Sequence, residues 1–250
     1  MSRSEAQRHL TALGQRCDEF VSGELRDALE RDFVSRLGGS DWLIPAPDDP
    51  STLLFAYPTP FGTATGYVAP TVRLEFGARS DREPWGLRPI LAYAAQARPE
   101  AELGGPFDVP VLTAERTFWE KATILHAENA RARRSDANDG LARNRNSRHV
   151  SDLAAMASSV VAANAIADEP LLRRVCDCKQ SRFRTSNVDY ATIRRRTIEI
   201  TPRGRLEAAL STDYAAMRSM FFDEPPAWAD VLQQIAELET RIRAADTCTP

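Results

Sequence analysis

The chain has 250 residues, 43% of them hydrophobic and 27% charged, the composition of an ordinary globular protein with room for one large domain or two small ones. No window holds 18 or more uncharged apolar residues, and the opening MSRSEAQRHLTALGQRCDEF carries charge throughout, so neither a membrane span nor a secretory leader is expected and the expected compartment is the cytoplasm. Overall charge is close to neutral, with 32 basic residues against 35 acidic ones, which rules out reading the whole chain as a polybasic binder.

From Ser4 to Leu37 the apolar residues Leu10, Leu13, Cys17, Phe20, Val21, Leu25, Leu29 and Phe33 keep the spacing of a long amphipathic helix or helix pair, and Gly38-Gly39 ends it. IPAPDDPS reads as a Pro- and Asp-rich loop, followed by a short strand from Leu53 to Tyr57. The segment YVAPTVRLEFG, Tyr67 to Gly77, is a strand with Val72, Leu74 and Phe76 on one face and Arg73 and Glu75 on the other. Asp81 to Pro89 reads as a loop, Ile90 to Ala97 as a short helix or strand, and Phe107 to Leu112 as a strand whose Pro110 places it at an edge.

Thr113 is a suitable N-cap for the next helix, whose buried stripe holds Phe118, Ala122 and Leu125. Lys121 lies about 60° from the centre of that stripe, at its rim, and His126 flanks the opposite edge. Arg131 to Ser147 is polar and reads as a mobile loop. Helices are expected over His149–Ala163, Glu169–Arg182, Leu206–Phe222 and Trp228–Ala244, with a strand from Arg196 to Ile200. Few strands scattered among many helices give an α+β class.

Charge is unevenly placed: residues 131–205 hold 16 basic and 8 acidic side chains. That excess suits a polyanion such as nucleotide or RNA, and equally suits an arginine face paired with acidic helices of the same chain. Of the 32 basic residues only Lys121 and Lys179 are lysine. A compact ammonium serves a phosphate oxygen differently from a guanidinium, so the two positions are candidates for substrate contact. The four cysteines are too few for a disulfide framework, and Cys176-x-Cys178 lacks the spacing of a zinc knuckle, so free thiols are expected.

Three stretches carry the chemistry. Glu75 and Arg73 share the charged face of VRLEFG, which an ordinary solvent face also explains. In TFWEKATILH the aromatic pair reads as core, Glu120 as solvated, and Lys121 either as a snorkelling rim residue or as a phosphate ligand. In SRHVSDLAAM, Arg148 and Asp152 have the spacing of a local helix salt bridge, His149 reads as a surface or capping residue, and Asp152 faces away from the stripe of Val150, Leu153, Ala154, Ala157 and Val161.

Together with LLFAYPTP, PTVRLEFGARSD, FDVPVLTAERTFWEKATILHAE, SRHVSDLAAMA, RFRTS and DYAAMRSMFFDEPP, these stretches resemble the AbiEii/AbiGii family of nucleotidyltransferase toxins, over about Leu10 to Arg243. The resemblance implies a polymerase-β-like core with a small mixed sheet in residues 1–112 and a mostly helical region in 113–250. It implies transfer of a nucleotide from an NTP to RNA, expected to be tRNA, with Mg²⁺ as cofactor and a cognate antitoxin as partner. It assigns catalytic roles to Glu75, Lys121 and Asp152, with Glu75 as the metal ligand, and substrate binding to Arg73, Arg79, Arg148, His149 and Lys179. The family's first motif, a glycine turn followed by D-x-D on a strand, does not occur before Glu75; Asp48-Asp49 after Gly38-Gly39 are adjacent and cannot share one face of a strand. The chain reads as one that starts after that motif, so binding without robust turnover is expected, with a catalytically silent nucleotide-, tRNA- or antitoxin-binding module as the alternative.

Overall fold

Two glycines in the left-handed region, Gly38 (φ 69°) and Gly39 (φ 71°), stop the N-terminal helical run where the sequence requires it. In the computed structural model, which describes residues 3–58, 69, 71–78, 81–134 and 145–245, that run is α1 (Arg3–Phe20), a π-helical segment Val21–Leu25, and α2 (Arg26–Leu37). The expected Pro/Asp loop is instead a hairpin, β1 (Leu43–Ala46) with β2 (Asp49–Ala56), and β3 (Thr71–Glu75) adds to β2 in an antiparallel sheet of order β1-β2-β3. The physical reason is local. Pro47-Asp48 makes the turn, and the Asp49 carboxylate accepts from Ser51 N at 3.0 Å and Thr52 Oγ1 at 2.8 Å, satisfying groups at the start of the strand. Val21, Leu43 and Leu53 form the buried centre, with Cys17, Leu25, Leu29, Phe33, Phe55, Leu74 and Phe76 packed around it.

The chain divides into two compact units, Met1–Ser80 and Asp81–Pro250. The second opens with a two-stranded antiparallel ribbon, β4 (Trp85–Ile90) and β5 (Phe107–Leu112), joined through α3 (Tyr93–Ala97). The loop expected over 81–89 is therefore largely strand. Gly86 and Pro89 disguise it, but in a ribbon of two strands each strand is an edge, so the missing proline N–H of Pro89 and Pro110 is tolerated.

Helices then dominate: α4 (Ala114–Arg134), α5 (Ser147–Ala157), α6 (Val160–Ala167), α7 (Glu169–Arg182), α8 (Arg205–Ala216) and α9 (Trp228–Ala244). Arg116 N bonds the Thr113 hydroxyl at 3.3 Å, the expected cap. Asp168 accepts from Leu171 N at 2.9 Å and caps α7, which begins at Glu169 as expected. The single helix expected from His149 to Ala163 is two, bent by 96°. Ser159 is extended (φ −88°, ψ 164°) and its hydroxyl donates to Met156 O at 2.7 Å, so a local side-chain bond replaces the helical one. Of the expected 131–147 loop, 131–134 extend α4 and residues 135–144 lie outside the described set.

No strand forms at Arg196–Ile200. Arg195–Thr197 is a 3₁₀ turn, and the extended stretch after it is held by side chains rather than by a ladder. Glu199 N donates to His126 Nδ1 at 3.1 Å, and Ile200 N and Thr201 N donate to Glu239 Oε2 at 2.7 and 2.8 Å, while Ile198 and Ile200 are fully buried. The alternation was real; its hydrogen-bond partners are not strands. The α+β class with a helical C-terminal region stands, with both sheets antiparallel.

Candidate functional site

Helix α4 is the post around which the second unit is assembled; α5, α6, α7 and α8 all pack on it. Its buried residues are Arg116, Phe118, Trp119, Ala122, Thr123, Leu125, Asn129 and Ala130, which at about 100° per residue cover roughly half the circumference. Lys121 and Glu120 fall at the two opposite rims of that arc, one turned to α5 and the other to α7.

At the α5 rim, Lys121 Nζ lies 2.5 Å from Asp152 Oδ2, a contact between residues 31 apart in sequence. The lysine side chain is 19% exposed and the aspartate 50%, so the pair opens outward. The rim position expected of Lys121 and the outward direction expected of Asp152 both hold. The local Arg148–Asp152 pair does not form: Asp152 is taken by Lys121, and Arg148 is exposed and makes no ion pair among the described residues.

His149, on the same first turn, is half-buried, and its Nδ1 is buried without a hydrogen-bond partner. Burial, with Lys121 and Arg148 as nearby cations, pulls the imidazole from its ordinary 6.5 to about 4, against the opposing pull of Asp152, so the ring is neutral at pH 7.

The start of α5 is fixed from elsewhere. Asp213, buried on α8, accepts from Ser147 N at 2.9 Å and Ser147 Oγ at 2.6 Å. A carboxylate capping the first turn sets where Arg148, His149 and Asp152 point. Asp213 lies inside DYAAMRSMFFDEPP, but nothing in its spacing announces a cap 66 residues away.

At the α7 rim the arrangement is closed. Arg116, 1% exposed, bonds Asp81 Oδ2 and Glu120 Oε1 at 2.9 Å each and also the Glu83 carbonyl. Arg174 adds two bonds to Asp81, at 2.8 and 3.1 Å. Lys179, buried, donates to the Glu120 carbonyl at 3.0 Å and sits 3.2 Å from Glu120 Oε2. Burial lowers the Lys179 pKa while Glu120 opposes the shift, and the Arg174 guanidinium bound to Asp81 holds that carboxyl well below its usual range. Glu120, read from sequence as solvated, is the middle of this chain of charges. The one legible signal was the i, i+4 spacing of Arg116 and Glu120.

In the first unit Glu75 and Arg73 are exposed and paired at 2.9 Å on the open face of β3. Arg79 lies outside the described residues. Among the described residues no three His, Cys, Asp or Glu side chains group closely enough to hold a metal ion. Mg²⁺ is ordinarily held by carboxylates together with substrate phosphates. Glu75, one carboxylate already facing a guanidinium, does not fit that requirement by itself.

The geometry of α4 and α5 suits an anion: an ammonium at a rim, held by a half-exposed carboxylate, with an exposed guanidinium and a neutral imidazole one turn away. A family model described as nucleotidyl transferase AbiEii toxin, type IV TA system, matches residues 6–234. No curated protein and no solved structure matches the chain.

Proposed function

The chain belongs to the family of nucleotidyl transferase AbiEii toxins of type IV TA systems, and from that we propose that the α4–α5 rim receives the triphosphate of an NTP and that an RNA, of the tRNA class, is the acceptor. Membership implies a nucleotide substrate and a cognate antitoxin; the roles of individual residues are our own reading. The observation that carries it is the Lys121–Asp152 contact. Asp152 holds the ammonium at the surface without enclosing it, so a phosphate oxygen can compete for the same charge. Arg148 adds a second cation beside it. His149, neutral beside them, adds no further charge to the rim. Residues 131–205 hold twice as many basic as acidic side chains; Arg174, Lys179 and Arg195 are paired with Asp81, Glu120 and Glu169, while exposed cations such as Arg148 suit an RNA backbone.

Nucleotidyl transfer needs charge on the phosphates neutralised and the attacking oxygen positioned, work ordinarily shared between cations and metal-bound acids. Lys121 and Arg148 supply the first; the Mg²⁺ expected from the family would need carboxylates beyond Glu75. That shortfall favours a second reading, a module that binds nucleotide and RNA without turning them over.

Incubation with labelled NTPs, Mg²⁺ and total tRNA separates the two. Labelled tRNA that disappears in Lys121→Ala establishes the transferase. Salt-dependent tRNA binding with no label transferred establishes the binding module, and the absence of both signals rejects the proposal.

A further inference from the structure

Strands β4 and β5 form a ribbon with no third strand among the described residues, and its two edges differ. Thr113 N donates to Pro84 O at 3.1 Å, extending the ladder one pair beyond Trp85 and Leu112. Bonded and unbonded pairs alternate along an antiparallel ladder, so Pro84, Gly86, Arg88 and Ile90 turn their backbone groups to β5, and Trp85, Leu87 and Pro89 turn theirs outward. By the same parity the outward residues of β5 are Asp108, Pro110 and Leu112. Pro110, without an N–H, interrupts the β5 edge in its middle. Pro89 stands at the end of the β4 edge and leaves two successive outward N–H groups, on Trp85 and Leu87, that no described residue accepts. Their side chains are open as well, 47% and 54% exposed. We infer that this edge pairs with the same edge of a second copy of the chain, in an antiparallel junction whose two-fold axis passes through Gly86.

A two-stranded ribbon is marginal alone, and an apolar edge left open accepts another strand. Trp-Gly-Leu is matched to itself. Across an axis at Gly86, Trp85 faces Leu87 of the second copy and Leu87 faces its Trp85, so every outward N–H of the two residues meets a carbonyl. Trp85 and Leu87 project on one face of the ribbon, so each pair also sets an indole against a leucine, a favourable cross-strand contact. Gly86 brings no side chain to the axis, and a Cβ there would meet only Arg88 Nη1, at 3.9 Å. Like charges do not oppose each other: Arg88 faces Pro84 of the second copy, and Glu83 faces its Pro89.

The neighbouring registers are worse. An axis at Leu87 sets Trp85 against Pro89, which cannot donate. An axis at Trp85 sets Leu87 against Glu83, whose N–H is bound to the Asp81 carboxylate at 3.2 Å and whose carbonyl is taken by Arg116. The junction is short. It removes on the order of 1,000 Å² in total, the lower end for a specific interface, so a reversible dimer with a dissociation constant in the micromolar range is expected.

The test is sedimentation velocity of the full chain over a concentration series reaching a few hundred micromolar, with a melting curve of each variant. Leu87→Pro deletes an outward donor that the ladder to β5 does not use, and is expected to weaken the dimer about tenfold or more with the melting temperature unchanged. Gly86→Cys sets two thiols at the axis with Cα atoms about 4.5 Å apart, within the span of a disulfide. Mild oxidation is expected to join it into a covalent dimer, against the wild type under the same oxidant as the baseline for the native cysteines. Arg88→Cys, opposite Pro84 of the second copy, is expected to give no more than that baseline. A gain confined to position 86 is not produced by misfolding, and it decides alone should Leu87→Pro fail to fold. A wild type that stays monomeric leaves the edge to some other strand and overturns the self-pairing. A dimer that survives Leu87→Pro while Gly86→Cys does not cross-link lies elsewhere on the chain and overturns it too.

Discussion

Glu120 and Lys121 are neighbours in sequence and stand at opposite rims of one helix, in two contrasting electrostatic settings. Glu120 sits in a chain of charges running from Arg174 through Asp81 and Arg116 to Lys179, with its guanidinium centre 1% exposed. Lys121 has the half-exposed Asp152 as its partner. A buried ion pair is costly to assemble and more costly to break, because removing one partner strands the other in a low-dielectric interior. An open pair is worth little to the fold and leaves its charges available to a ligand. Of the two lysines in the chain, the structure thus assigns one to architecture and leaves the other at the surface.

The sharpest way to break that contrast is Arg116→Ala. It leaves Asp81 and Glu120 facing each other's fields without their shared cation, and is expected to cost about 3–5 kcal/mol in urea unfolding. A loss below about 1 kcal/mol would mean that water enters the α7 rim and that the two rims are electrostatically alike.

Lys121→Ala is the converse experiment. Its stability cost is expected to stay under about 1 kcal/mol, while label transfer to tRNA, where the wild type shows it, falls by about 10²–10³-fold, the scale of losing one preorganised charge. Lys179→Ala should reverse the pattern, with a lower unfolding midpoint and no specific effect on nucleotide affinity beyond the fraction unfolded. If both lysine variants behaved alike, the assignment of separate roles would fail.

Much of this was legible in sequence, and what was hidden was hidden for physical reasons. The spacing of Phe118, Ala122 and Leu125 fixed one half of the buried arc of α4, and with it the rim position of Lys121. The other half runs through Arg116, Trp119 and Thr123; two of these are polar, so hydrophobic periodicity does not register it. The α7 and α9 ranges are the expected Glu169–Arg182 and Trp228–Ala244. Asp152's partner was not legible, because a contact across 31 residues leaves no local spacing to read. The same limit explains Ile198–Ile200: the alternation showed an extended chain but not that His126 and Glu239 would accept its N–H groups. Glu75 was singled out by resemblance, and its surroundings show an exposed ion pair.

A smaller effect reports on the Lys121 side through His149. The folded imidazole titrates near 4 and the unfolded one near 6.5, so between those values the unfolded state binds more protons. Stability therefore rises with pH across that window and is lost as pH falls through it. The ring is only half-buried, so the contribution is about 1–2 kcal/mol rather than the full ceiling of the shift. His149→Gln should keep that much more of its stability on going from pH 7 to pH 4.5, measured as the change in urea midpoint against wild type. His126, also lowered by burial, contributes the same sign and remains in the variant, so the acid sensitivity is reduced and not abolished.

The smallest effect tests whether openness alone marks a functional charge. Arg73 and Glu75 are paired and exposed, as Lys121 and Asp152 are paired and half open, yet they lie two residues apart on one strand face instead of joining two helices. Glu75→Gln is expected to change the unfolding free energy by less than about 0.5 kcal/mol, since exposed pairs contribute little. Its effect on label transfer is the informative reading. A loss as deep as that of Lys121→Ala, with unchanged stability, would make Glu75 part of the chemistry despite its exposed pairing. Unaltered transfer would show that exposure without a second element to hold the charge is ordinary surface, and that the helix-to-helix grip of Asp152 on Lys121 is what distinguishes a site.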